Sequence, residues 1–125
     1  MPDTAESLVI PFLQNALQAR GEFVRRMEAI GATIKFDDMA NLYATLPGSE
    51  PDLPGIVMAS HCDSVKNGGK YDGALGVVTG VAALGYLKQS GFVPKHSLEV
   101  GGLMEEEGSR FSIRLSGGAA QSVAR

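Results

Sequence analysis

In the stretch from Gly55 to Gly73, GIVMASHCDSVKNGGKYDG, a short apolar run is followed by His61, by Asp63 two residues later and by Asp72 eleven residues after the histidine. Imidazole and carboxylate are the ligand types that suit zinc or manganese, and a carboxylate with two oxygens can bridge a pair of ions, which a histidine cannot. Ile56, Val57, Met58 and Ala59 predict a buried strand that delivers the pair. In an extended segment His61 and Asp63 share one side, so Asp63 can orient the imidazole, while Cys62 faces the other way and reads as a small buried hydrophobe. Asn67-Gly68-Gly69 permits a sharp turn and Gly73 a close backbone approach after Asp72. The same glycines do not make a phosphate loop, because the spacing and the helix after Lys70 are wrong for one.

A second acidic group, Glu105-Glu106-Glu107, follows another apolar stretch and ends in Gly108. Three adjacent carboxylates repel one another unless a cation absorbs the charge. One of them can bind metal while its neighbour stays free to take a proton from a water acidified by that metal. The bland alternatives are a hydrogen-bonded core histidine, a turn aspartate and a solvated acidic loop.

These residues must be positioned by flanking elements. Leu13, Ala16, Leu17, Phe23, Val24, Met27 and Ile30 recur at helical spacing, predicting an amphipathic helix from Pro11 to Ile30 with Gly31 as a left-handed stop. Thr33 to Phe36, Leu42 to Leu46, Gly55 to Ser60 and Ser97 to Leu103 read as strands. Ala74 to Ser90 is apolar around most of a helical circumference, which predicts a helix mostly buried and packed closely through its glycines. Strand, long crossover helix and strand make a βαβ unit with parallel strands. Ligands collect beyond the carboxyl ends of such strands, so His61 and Asp63 on one and Glu105 to Glu107 on the other face one rim, whereas His96 falls on the opposite one.

Composition sets the bounds. The 125 residues, 44% hydrophobic and 20% charged, suit one globular domain. A net charge of −3 argues against a nucleic-acid surface. The single cysteine excludes an intrachain disulfide. Ala74 to Leu87 is broken by glycines and is shorter than the roughly 20 residues of a membrane span. Asp3 and Glu6 stand where a secretory signal would be basic, so a cytoplasmic location is the expectation.

The segments FDDMANLYATLPGSE (Phe36 to Glu50), ASHCDSVKNGGKYDGALGV (Ala59 to Val77) and EVGGLMEEEGSRF (Glu99 to Phe111) resemble the amidase, hydantoinase and carbamoylase branch of the aminoacylase-like dinuclear metallohydrolases, leaning toward its allantoate amidohydrolase members, with N-carbamoyl-L-amino-acid hydrolases close behind. The resemblance implies an α/β fold, a three-layer mixed or parallel sheet flanked by helices, forming the amino-terminal portion of a zinc-aminopeptidase-like catalytic domain. It implies two divalent ions, manganese or zinc, with His61 binding one, Asp72 bridging both, Glu107 binding the second, Glu106 acting as general base and Asp63 supporting His61. The implied reaction is hydrolysis of a non-peptide C–N bond in a small ureido, amide or amidine compound, with neither nucleic acid nor membrane as partner.

Relatives of this kind are several times longer, are homodimers through a second, smaller domain, and add two later histidine ligands that have no counterpart here. Residues 1–125 are therefore expected to be an incomplete catalytic domain without the lid and dimerisation domain. Ala40 stands where the resemblance expects glycine, and Cys62 where it expects an aliphatic residue. Two competing readings are a non-catalytic scaffold or assembly module on the same fold, and an aminoacylase or aminopeptidase of the wider superfamily.

Overall fold

The computed structural model describes residues 5–65 and 67–108, with side chains from residue 17 onward. The element order is α1 (Ala5–Ala29), β1 (Thr33–Phe36), β2 (Leu42–Leu46), β3 (Ile56–His61), α2 (Ala74–Gln89) and β4 (Leu98–Leu103). The strands form one sheet in the order β1-β2-β4-β3. β1 and β2 pair antiparallel, as do β2 and β4, while β3 and β4 run parallel across the α2 crossover. This is the mixed sheet with helices that the resemblance implies, and its β3-α2-β4 portion is the parallel unit that the apolar runs predict.

Register fixes which side chains share a face. Leu42, Ala44 and Leu46 of β2 stand opposite Gly102, Val100 and Leu98 of β4. They join Phe23 and Met27 of α1 and Val77 and Leu84 of α2 in one core. Phe23 and Met27 are four residues apart and so project from one face of α1. Among the described residues both helices lie on this face of the sheet. On the reverse face Thr45 Oγ1 donates to Glu99 Oε2 at 2.7 Å.

Three expectations are corrected. α1 begins before Pro11 instead of at it, so the proline falls inside the helix. Leu17 is exposed and lies off the packed face. α2 is not mostly buried: Val77, Gly80 and Leu84 pack inward, whereas Leu75, Val78 and Tyr86 face outward because nothing described covers that side. The close packing through glycine holds, since a Cβ on Gly80 would sit 3.0 Å from Val100 Cγ1. The stop after α1 also holds, with Gly31 at φ 83°. Ala40 takes φ 62°, a conformation that costs an L residue roughly 1–2 kcal/mol, which accounts physically for glycine being the expected residue there.

Candidate metal centre

The parallel pair sets the position of the site. Ile56 to His61 of β3 run in register with Leu98 to Leu103 of β4, so the two strands end level with each other. The backbone N–H of Cys62 extends the ladder by donating to the Leu103 carbonyl at 2.7 Å. The chain beyond β3 and the chain beyond β4 therefore leave the sheet side by side, and residues more than forty positions apart become neighbours. His96 is remote from this rim, its Nδ1 lying 2.7 Å from the Pro54 carbonyl ahead of β3.

The imidazole of His61 is the centre of the cluster, with its side chain 11% exposed. Nε2 lies 3.1 Å from Asp72 Oδ1 and 3.9 Å from Glu106 Oε2. Donor atoms of His61, Glu106 and Glu107 all fall within 4.8 Å of one another. Asp72 is brought in by the turn: Asn67 adopts φ 61°, Asp72 N donates to the Gly69 carbonyl, and α2 starts two residues later. Gly73 then takes φ 69°, and a Cβ there would lie 2.5 Å from His61 Nδ1 and Cε1. The close approach that this glycine predicts is thus an approach to the histidine itself.

Asp63 acts differently from the expectation. Its carboxylate Oδ1 is 3.5 Å from His61 Nδ1, too far for a good hydrogen bond, whereas its backbone carbonyl is at 3.0 Å. The nearly inaccessible carboxylate instead accepts the backbone N–H of Glu106 at 3.2 Å and of Glu107 at 3.0 Å. One residue thereby orients the imidazole with its main chain and ties the acidic turn to the rim with its side chain. Glu105, between the strand and these two glutamates, is buried with φ 62°, whereas Glu106 and Glu107 are half-buried.

Cys62 also needs correction. The residue is exposed, although its sulfur is shielded above Gly102, where a Cβ would come within 2.7 Å of it, and burial pushes the thiol pKa up. It lines a cavity of about 500 Å³ between α1 and α2 together with Phe23, Leu42, Val77, Val81 and Met104.

The electrostatics fit a cation. Partial burial raises the Glu107 pKa, and the charges of Asp72 and Glu106 raise it further against the pull of His61. For His61, burial lowers the pKa, but the Asp63 carbonyl, the Asp72 side chain and the charges of Asp63 and Glu106 outweigh it and the net shift is upward. Clustered carboxylates, of which Glu107 is crowded until it resists ionising, with one imidazole nitrogen aimed among them, match the donor set of a zinc or manganese site. Asn41 is the residue that sequence reasoning missed. It is fully buried, and its Oδ1 accepts the N–H of Met104 at 2.8 Å, at the base of the acidic turn. In the sequence it lies within the segment Phe36 to Glu50 that carries the resemblance, with no role of its own assigned.

The sequence profile of peptidase family M28 matches residues 41–122. An N-carbamoyl-L-amino-acid amidohydrolase of Paenarthrobacter aurescens is 38% identical over 102 residues, covering 82% of this chain and 25% of that protein. An allantoate amidohydrolase of Bacillus subtilis (strain 168) is 45% identical over 91 residues, covering 73% of this chain and 22% of the relative. Among solved structures, a hydantoinase/carbamoylase family amidase from Burkholderia ambifaria superposes with a TM-score of 0.81 at 30% identity, over 86% of this chain and 26% of that one. The chain spans about a quarter of the length of the proteins it matches.

Proposed function

The chain belongs to peptidase family M28, and from that premise we propose that it is the amino-terminal, metal-binding portion of a hydrolase acting on a non-peptide C–N bond, with N-carbamoyl amino acids and allantoate as the substrate class. The observation that carries the reading is the convergence of His61, Asp72, Glu106 and Glu107 at one rim from two separate strand ends. His61 Nε2, Asp72 and Glu107 would hold the ions, with Asp72 between them. Bound divalent ions would polarise the substrate carbonyl and acidify water.

The remaining steps belong to the chain's own groups. Glu106, whose side chain is 41% exposed and whose Oε2 approaches the imidazole, is the base that takes the proton from the attacking water and returns it to the leaving nitrogen. Asp63 keeps the imidazole and the two glutamates in fixed relation, so that no reorganisation is needed when the substrate arrives. Names of relatives support this substrate class: one is an N-carbamoyl-L-amino-acid amidohydrolase and another an allantoate amidohydrolase.

The test has two parts. Equilibrium dialysis with manganese or zinc should load the parent chain. Glu107→Ala and His61→Ala should lose the ions, and Glu106→Gln should keep them. Turnover of N-carbamoyl amino acids and allantoate by the 125-residue chain alone should be slight, and in any longer form Glu106→Gln should abolish it. Robust turnover by the isolated chain would overturn its assignment as a portion of the catalytic unit. Loss of ions in Glu106→Gln would mean that the roles of Glu106 and Glu107 are exchanged. A second reading, a non-catalytic assembly module, is favoured by the fact that His61 is the single imidazole at the rim, the other histidine of the chain being remote. Failure of the parent chain to bind either ion would select it.

A further inference from the structure

We propose that Asn41 is a positioning residue for the acidic turn: through a buried relay from Asp37 to Met104 it sets where Glu106 and Glu107 stand. The inference rests on the metal-centre reading above for its functional meaning, but its geometry is independent of any ion.

The β2–β4 ladder ends where Leu42 pairs with Gly102. One residue before Leu42 and two after Gly102 the side chain of Asn41 takes over, its Oδ1 accepting the backbone N–H of Met104 at 2.8 Å. At its other end the Asn41 Nδ2 donates to Asp37 Oδ2 at 2.8 Å. A backbone N–H only donates and a carboxylate only accepts, so this orientation of the amide is the single one that satisfies both partners. No other residue type of the same size offers that pairing, since leucine has neither group and aspartate would turn a carboxylate against a carboxylate.

The turn between β1 and β2 is built to hold this amide still. Asp37 Oδ1 accepts the backbone N–H groups of Met39 and Asn41 at 3.0 and 2.8 Å, and Asp37 N donates to the Asn41 carbonyl at 3.1 Å. Arg20 reaches across from α1 to donate to the Ala40 carbonyl at 3.0 Å. The turn residue Ala40 is held in the left-handed region, so local strain is accepted to place the next side chain. The acidic turn is consequently fixed at both ends, by Asn41 at Met104 and by Asp63 at Glu106 and Glu107, with left-handed Glu105 between the two anchors. Without the first anchor, Asp63 holds a turn whose exit from the sheet is free to shift.

The test uses the full chain. Asn41→Asp should oppose two carboxylates, and Asp37→Asn, a milder change at a half-buried position, should oppose two amide donors. Combining both substitutions restores a donor facing an acceptor with the polarity reversed, and leaves an acceptor for Met104. In the metal-free protein, amide exchange at Met104, Glu106 and Glu107 should quicken about tenfold or more in each single variant, while Val100 and Ala44 in the core stay protected. The combined variant should restore slow exchange. Manganese affinity should fall about tenfold in the single variants and recover in the pair.

Unchanged exchange at Glu106 and Glu107 would overturn the proposal. So would equal acceleration at Val100, which would mark Asn41 as a contributor to global stability alone. Should Asn41→Asp fail to fold, Asp37→Asn and the combined variant still decide the matter. A parent chain that binds neither manganese nor zinc would sink the metal-centre reading, and the exchange measurements would then judge Asn41 by themselves.

Discussion

His61 is held from opposite sides, its Nδ1 on the Asp63 carbonyl and its Nε2 facing Asp72 and Glu106. The nearest constraint on the ring is the missing side chain of Gly73. Gly73→Ala would impose a strained φ and drive a methyl group into the imidazole. We expect a loss of roughly 1–3 kcal/mol in urea unfolding, together with an ion affinity lowered by about tenfold or more. Unaltered ion binding would show that the ring has another place to go. Under the proposed metal-binding role, protons and cations compete here. Both His61 and Glu107 have raised pKa values. Each therefore lends the ion-free protein stability that is full below its unfolded value and is lost as pH rises through the folded value. For Glu107 that loss begins above its ordinary 4.5, and for His61 above 6.5. Ligands must shed these protons to bind a divalent ion, so thermal stabilisation by manganese or zinc should be greater at about pH 8 than at about pH 5. A shift of equal size at both would show that neither group is a ligand.

At the scale of elements, α2 contains glycines of two kinds. A Cβ at Gly76 would lie 2.5 Å from Ser60 Cβ, in a contact that only backbone movement can relieve, whereas nothing stands within 4 Å of one at Gly85. Gly85→Ala should raise stability by up to about 1 kcal/mol through helix propensity, and Gly76→Ala should lower it by roughly 1–3 kcal/mol through overpacking. Chemical denaturation of the two variants checks the sign of each; the same sign in both would mean that α2 can slide on the sheet. Strand positions were readable within a residue or so because apolar runs bounded by Gly, Pro and Asp have few alternatives, and Pro47-Gly48 and Gly91 with Pro94 marked ends that the structure keeps. The start of α1 was not readable, since Pro11 looks like a first-turn proline and propensity cannot tell that a helix continues ahead of it.

For the whole molecule, the two edge strands differ. β1 carries Lys35, and Arg20 lies over the Phe36 ring at 5.3 Å, whereas β3, the last strand on the other side among the described residues, has Ile56 and Val57 half exposed and no lysine or proline among its residues. With Leu75 and Val78 of α2 also open, the 125-residue chain should self-associate as its concentration rises, and Val57→Lys should shift light-scattering mass toward the monomer. A monomer at high concentration with a sharp thermal transition would count against this. The sequence by itself determined which imidazole and carboxylates stand at the rim, the strand that delivers His61, the parallel crossover and hence the shared rim, because residue chemistry and hydrophobic period are local properties and parallel strands must point their ends the same way. Only the tertiary structure decided that Asp63 grips the glutamates through their backbone N–H groups, that Gly73 makes room for the imidazole, and that Asn41 reaches Met104 across 63 positions of sequence. Such contacts depend on strand register and on distances of a few ångströms between distant segments, which no spacing along the chain encodes.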